Sequence, residues 1–163
     1  MKRSGIMPEI DLSLTVNGRQ ARWSVEPGAT LLEALHAHGL RGPKLICGTG
    51  DCGGCGVLFN GCSINACCML AAQAEGASVL TIEGLACGGV LHPIQEAFAA
   101  EGAAQCGFCT PGFIIRAYAL LQEQPAPCED EVRAALGGNI CRCTGYVKPV
   151  AAVLRAAEML RRR

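Results

Sequence analysis

Eight of the twelve cysteines in this 163-residue chain fall into two spaced quartets, Cys47-x4-Cys52-x2-Cys55-x11-Cys67 and Cys106-x2-Cys109-x31-Cys141-x-Cys143. Four thiols gathered in one place can pair as disulfides, bind a zinc ion or hold an iron–sulfur cluster. Disulfides belong to oxidising compartments, and the start of the chain does not read as an export signal. Met1 to Ile10 carries Lys2, Arg3, Pro8 and Glu9 with no apolar run. A cytoplasmic location is expected, with the thiols available for metal.

The first quartet opens with C-x4-C-x2-C and a distant fourth cysteine, the spacing of plant-type 2Fe-2S ferredoxins. Its loop reads Cys47-Gly48-Thr49-Gly50-Asp51-Cys52-Gly53-Gly54-Cys55. Wrapping three sulfurs around one cluster calls for positive φ and close approach of amides, and glycine permits both. Electron transfer is the chemistry this implies. C-x2-C and C-x-C pairs also occur at zinc sites, so the second quartet taken alone leaves iron and zinc open.

Cys62, Cys68, Cys87 and Cys128 are left over and read as buried small hydrophobes. Cys128 stands where a helix-capping Ser or Thr is expected, and a thiol is a weak acceptor, so that helix start is expected to be weak. Rieske centres use two histidines, but eight spaced cysteines already complete both sites. His36, His38 and His92 are not expected to ligate.

Fourteen Lys and Arg balance fourteen Asp and Glu, so no basic field points to nucleic acid. The Arg161-Arg162-Arg163 run reads as a solvated helix end. Half the residues are apolar, yet no stretch approaches the roughly 20 residues of a membrane span. Few charges and a mean hydropathy of +0.29 suggest surface buried against other subunits. The length suits one ordinary domain or two small ones, and a small domain is short of core unless a metal or partner helps.

Ile10 to Val16 alternates apolar and polar residues, Asn17-Gly18 follows, and Gln20 to Val25 resumes the pattern, which predicts a hairpin. Thr30 caps a helix from Leu31 to His38, with Glu33 in its first turn and Gly39 as the stop. Val57 to Phe59, Asn60-Gly61 and Cys62 to Asn65 form a second hairpin, and Val79 to Ile82 a further strand. These make a small α+β domain over residues 1–84. Helices are expected from Pro93 to Ala100, from an N-cap at Thr110 with Pro111 in first position through to Gln124, from Glu129 to Leu136 and from Val147 to Arg162. They fill residues 85–163, and both cysteine pairs of the second quartet immediately precede a helix.

The stretches CGTGDCGGC from Cys47, QCGFCTPG from Gln105 and GNICRCTGY from Gly138, with TIEGL at Thr81 and LHPIQEAF at Leu91, resemble the small iron–sulfur subunit of the molybdenum hydroxylase (xanthine dehydrogenase) family. The resemblance covers nearly the whole chain. It implies an N-terminal β-grasp ferredoxin-like domain followed by an all-α four-helix-bundle domain. One 2Fe-2S cluster is implied on Cys47, Cys52, Cys55 and Cys67, the other on Cys106, Cys109, Cys141 and Cys143. Family spacing selects Cys67 over the adjacent Cys68, whose side chain is expected to point elsewhere. Ile46, Gly56, Cys62 and Phe113 depart from the more usual Gly, Thr, polar residue and Met, and none of them is a ligand.

The resemblance further implies a large subunit carrying a molybdopterin cofactor, a medium subunit carrying FAD, and electron flow from molybdenum to the C-terminal cluster, the N-terminal cluster and the flavin. Gln105 and Cys143 match positions that approach the pterin. Related small subunits serve enzymes of aromatic N-heterocycles, purines, aldehydes, carbon monoxide and aromatic acyl-CoA thioesters. No G-x-G-x-x-G after a strand, P-loop or Ser/His/Asp grouping offers a site for substrate chemistry in this chain. Two other classes stay in view, a free-standing ferredoxin and a zinc-bound structural adaptor.

Overall fold

The computed structural model describes residues 8–162. Lys2 and Arg3, read above for export, and Arg163 lie outside them. Strands β1 (Ile10–Val16) and β2 (Arg19–Val25) pair antiparallel, with Val16 opposite Arg19. Asn17 and Gly18 have φ of 50° and 76°, the two positive values that a type I′ turn requires. The second hairpin, β3 (Gly56–Phe59) and β4 (Cys62–Asn65), repeats the device at Asn60 and Gly61, with φ of 49° and 87°.

Strand β5 (Ser78–Leu80) runs parallel to β1 and antiparallel to β3, giving one mixed sheet in the order β2-β1-β5-β3-β4. It ends two residues before the expected Ile82. The Thr81 amide donates to Asn17 Oδ1 (2.9 Å) rather than to a strand, and the Thr81 carbonyl takes Gly84 N–H (3.0 Å) into a 3-10 turn.

Helix α1 (Leu31–Ala37) starts as expected. Thr30 accepts from Glu33 N–H, and the Glu33 carboxylate returns to Thr30 N–H at 2.8 Å, a box worth about 1 kcal/mol. Its Leu31, Leu32 and Leu35 cover one sheet face, meeting Leu12, Leu14, Trp23, Val57 and Val79.

The remaining helices are α2 (Pro93–Ala100), α3 (Thr110–Glu123), α4 (Glu129–Leu136) and α5 (Val147–Arg161). They share a second core around Ile94, Phe98, Phe113, Ile115, Val132, Leu136 and Val153. Period-2 alternation divides β3 and β5 between the two cores: Val57 and Val79 face α1, whereas Leu58 and Leu80 join the helices. The result is an α+β fold whose sheet is covered on both faces, with α3 lying along β3.

Helix α3 begins one residue earlier than expected. Cys109 is its N-cap because its carbonyl accepts from Phe113 N–H (3.2 Å), and Thr110 is already helical. The start of α4 is less weak than its thiol suggested, since the Glu131 carboxylate accepts from Cys128 N–H at 2.6 Å. Arg162 pairs with Glu158 on the exposed end of α5. Among the described residues no helix is long and apolar enough to cross a membrane.

Candidate metal centres

The cysteine spacings have a plain structural meaning. The eleven residues between Cys55 and Cys67 are β3, its two-residue turn, β4 and Ala66. The hairpin leaves from Cys55 and returns to Cys67 at the same end, where Ala66 N–H donates to the Cys55 carbonyl (3.3 Å). The loop from Cys47 to Cys55 is drawn against them by Lys44 N–H on the Gly54 carbonyl (2.8 Å), with Gly48, Gly50 and Gly53 all at positive φ. The thiols of Cys47 and Cys52, and those of Cys55 and Cys67, lie near enough to shift one another's acidity.

In the second quartet, Cys106 and Cys109 lead into α3, and α3 and α4 fill the gap before Cys141 and Cys143. Cys143 Sγ lies 3.7 Å from Cys106 Sγ, and the thiols of Cys109 and Cys141 lie near enough to shift one another's acidity. A tetrahedral metal with bonds of about 2.3 Å to sulfur holds two sulfurs roughly 3.8 Å apart, so Cys106 and Cys143 already stand at the spacing of two thiolates on one iron. Among the described residues no three His, Cys, Asp or Glu side chains converge as they would on a single ion; each quartet is a ring of pairwise contacts.

Donors are aimed at these sulfurs. Thr49 N–H points to Cys47 Sγ at 3.4 Å. Cys141 Sγ accepts from Thr144 Oγ1 (3.2 Å), Thr144 N–H (3.4 Å) and Cys143 N–H (3.4 Å), while Tyr146 hydroxyl accepts from Cys141 N–H (2.9 Å). These bonds set acidity. Thr49 brings the exposed Cys47 thiol down to about 5. At Cys141 burial pushes upward, but the Thr144 and Cys143 donors outweigh it and bring the thiol to about 7. Burial pushes Cys55 and Cys109 up to about 12, which bound metal must overcome by displacing their protons. The hydrogen bond with Cys106 raises Cys143. Four thiols per ring and donors trained on their sulfurs fit a 2Fe-2S cluster in each.

The leftover cysteines correct the sequence reading. Cys62, Cys68, Cys87 and Cys128 are all exposed: Cys62 opens the edge strand β4, Cys68 ends a 3-10 turn, Cys87 faces Val90 in a surface bridge and Cys128 caps α4. Cys68 also does not point away. Its Sγ is 3.7 Å from Cys67 Sγ, and that hydrogen bond, with the nearby charges of Cys67, Cys47 and Asp51, raises it.

The histidines sit elsewhere. His36 Nε2 bonds the Pro43 carbonyl (2.7 Å), His38 stacks on Trp23 with ring centroids 4.3 Å apart, and His92 caps α2. Gln105 Nε2 donates to the Cys143 carbonyl at 3.0 Å, on the exposed rim of the second ring.

Sequence reasoning missed the seam between the rings. Ile140 N–H donates to the Cys52 carbonyl (3.0 Å), and the buried Asn139 donates through Nδ2 to the Gly53 carbonyl (3.2 Å). A Cβ on Gly112 would lie 2.2 Å from that same carbonyl, so only glycine lets α3 pass. The signal was Asn139 itself, an amide between Gly138 and Ile140 beside a cysteine pair.

Residues 81–154 match the [2Fe-2S] binding domain family. A nicotinate dehydrogenase small FeS subunit of Eubacterium barkeri is 44% identical over 153 residues, spanning 93% of this chain and 98% of that protein. The xanthine dehydrogenase iron-sulfur-binding subunit of Escherichia coli O157:H7 is 45% identical over 148 residues, spanning 89% and 92%. In the crystal structure of quinoline 2-oxidoreductase from Pseudomonas putida 86, one chain superimposes with a TM-score of 0.92 at 43% identity, covering 96% of this chain and 98% of that one. Likeness over almost the full length of each, together with two rings of four thiols, places the chain among the small 2Fe-2S subunits of the molybdenum hydroxylase (xanthine dehydrogenase) family of oxidoreductases.

Proposed function

We propose that this chain is the electron-transfer subunit of a cytoplasmic molybdenum hydroxylase acting on an aromatic N-heterocycle, assembled with a large molybdopterin-binding subunit and a medium FAD-binding subunit. When bound, 2Fe-2S clusters supply the one-electron steps between those two cofactors. Cys47, Cys52, Cys55 and Cys67 hold the first, and Cys106, Cys109, Cys141 and Cys143 the second.

The observation that carries the reading is the direct joining of the two rings by the Ile140–Cys52 hydrogen bond. A scaffold that brings two thiol rings edge to edge is organised for a relay. The division into a β-grasp ferredoxin-like unit (1–84) and a four-helix unit (85–163) is supported by the two cores, one around α1 and one among α2 to α5. Phe108, Ile140 and Val147 are each more than half exposed around the second ring, which favours burial there against the large subunit, beside Gln105 and Cys143. Free thiols throughout the described chain suit a reducing compartment. The substrate class follows three of the similar proteins, named for nicotinate, xanthine and quinoline, while others of comparable identity are named for aldehydes.

The test is metal and sulfide analysis of the purified complex with paramagnetic resonance of the reduced form. About four irons and four sulfides per copy of this chain are expected, with two distinct cluster signals, molybdenum, FAD and turnover of an N-heterocycle. Stoichiometric zinc, half that iron in a partnerless chain, or turnover confined to aldehydes would overturn it.

A further inference from the structure

A fifth thiol, Cys68, stands beside the four of the first ring. Cys67 and Cys68 close the same 3-10 turn, and their sulfurs stand 3.7 Å apart, again the separation of two thiolates on a tetrahedral metal. Alternation along a strand would point two adjacent side chains about 180° apart; the 3-10 turn sets them about 120° apart, and the two sulfurs reach each other.

A second, independent contact comes from the opposite wall. A Cβ on Gly50 would lie 2.8 Å from Cys68 Sγ, so the thiol occupies the space that the missing side chain leaves over the Cys47–Cys52 loop. Gly50 is held there by Asn65 Nδ2 on its carbonyl at 2.6 Å, and at φ 85° it adopts a conformation that other residues resist. The loop thus leaves room for a thiol from across the ring.

We propose that Cys68 is a reserve ligand of the first cluster, able to take the place of Cys67 on its iron. This rests on the reading that the first ring holds a 2Fe-2S cluster. The exchange is redox-neutral: the iron–sulfur bond to Cys67 breaks, one to Cys68 forms, and the proton leaving Cys68 passes to the Cys67 sulfur.

Cys67→Ala, Cys68→Ala, the double variant and Cys67→Ser decide it, all in the assembled complex, with iron, sulfide and both paramagnetic signals measured. Cys68→Ala should match the wild type. Cys67→Ala should keep about four irons per chain and an altered first-cluster signal, and the double variant should drop to about half the iron with the second signal intact. Cys67→Ser should give the same first-cluster signal as Cys67→Ala, because thiolate outcompetes the serine hydroxyl. Loss of half the iron in Cys67→Ala, or a Cys67→Ser signal that is unchanged when Cys68 is also removed, would overturn the proposal. If Cys67→Ala fails to assemble, the serine pair alone settles the matter. Zinc or half-loaded iron in the wild type would instead overturn the cluster reading beneath it.

Discussion

The amide of Ile140 donates to the carbonyl of Cys52 across 3.0 Å, so a residue adjacent to Cys141 in one thiol ring touches the backbone of a member of the other. A Cβ on Gly53 or Gly112 would meet backbone across the seam at 2.7 or 2.2 Å, whereas Gly138 has open space, and Asn139 reaches in to bond the Gly53 carbonyl. Both rings are positioned by one contact, and disturbing it should disturb both.

Gly112→Ala is therefore expected to destabilise the chain by about 1–3 kcal/mol, the usual range for overpacking, because its Cβ would meet the Gly53 carbonyl at 2.2 Å. Gly28→Ala is the control: nothing lies within 4 Å of the new Cβ, and the change should be neutral or stabilise by about 0.4–1 kcal/mol. Thermal unfolding of the two variants in the loaded chain, with the magnetic interaction between clusters followed in parallel, gives the comparison. Equal unfolding temperatures would mean that the seam yields freely.

Asn139→Leu keeps the branched shape but removes the donor to Gly53, whose carbonyl then keeps only Gly56 N–H (3.2 Å), at a cost of about 0.5–1.5 kcal/mol. Iron should be retained in both rings at low temperature. On heating, iron loss should begin earlier than in the wild type and involve both cluster signals together, since Gly53 follows Cys52 and Asn139 lies two residues before Cys141. Loss of the second signal alone would show that Asn139 serves only its own loop.

Much of this arrangement was legible in the residues. Asn-Gly placed both hairpin turns, because that pair at positive φ admits one turn type, although β2 begins at Arg19 and β3 at Gly56, each one residue before the expected start, and Thr30 with Glu33 placed the start of α1. The nearness of Cys55 and Cys67 suits their spacing, since a hairpin returns its ends to one place, whereas the spacing of the second quartet by itself left iron and zinc open. Legibility failed where a long-range contact overrode a local preference. Asn17 reaches across 64 residues to Thr81 and ends β5 early, and the carbonyl of Cys109 takes the capping place that Thr110 advertised. Cys68 was misjudged for a related reason: adjacent side chains point about 180° apart in a strand but only about 120° apart in the 3-10 turn that follows β4.

Thiol acidity should be readable in the metal-free, reduced chain. Cys47, lowered to about 5 by Thr49, is mostly thiolate at pH 7 and should alkylate at near-full rate until the pH falls through 5. Cys141 should lose half its rate near pH 7, whereas Cys55 and Cys109, at about 12, stay protonated and slow throughout. Thr144→Val removes a donor from Cys141 Sγ, so its midpoint should move up. The same change should lower the potential of the second cluster, because the reduced, more negative state loses a hydrogen bond. Peptide-resolved alkylation against pH and a redox titration check the two halves; an unmoved Cys141 midpoint would exclude Thr144 as the cause.

The order of the two rings in electron flow can be tested by breaking each in turn. Cys106 and Cys143 stand on an exposed rim with Gln105, Phe108 and Val147, whereas in the first ring Cys52 and Cys55 are buried and Cys47 is exposed; the function proposed above sets the second ring toward the large subunit. Cys106→Ser in the complex should therefore stop electrons leaving reduced molybdenum, leaving the first cluster oxidised after anaerobic mixing with substrate. Cys52→Ser should still allow the second cluster to be reduced, with turnover lost at the flavin step. Gln105→Leu, which frees the Cys143 carbonyl without touching a thiol, should keep both clusters and slow only the reduction of the second. Rapid freezing and paramagnetic resonance at low temperature separate these outcomes. Reduction of the first cluster ahead of the second in the unaltered complex would reverse the order and exchange the roles of the two rings.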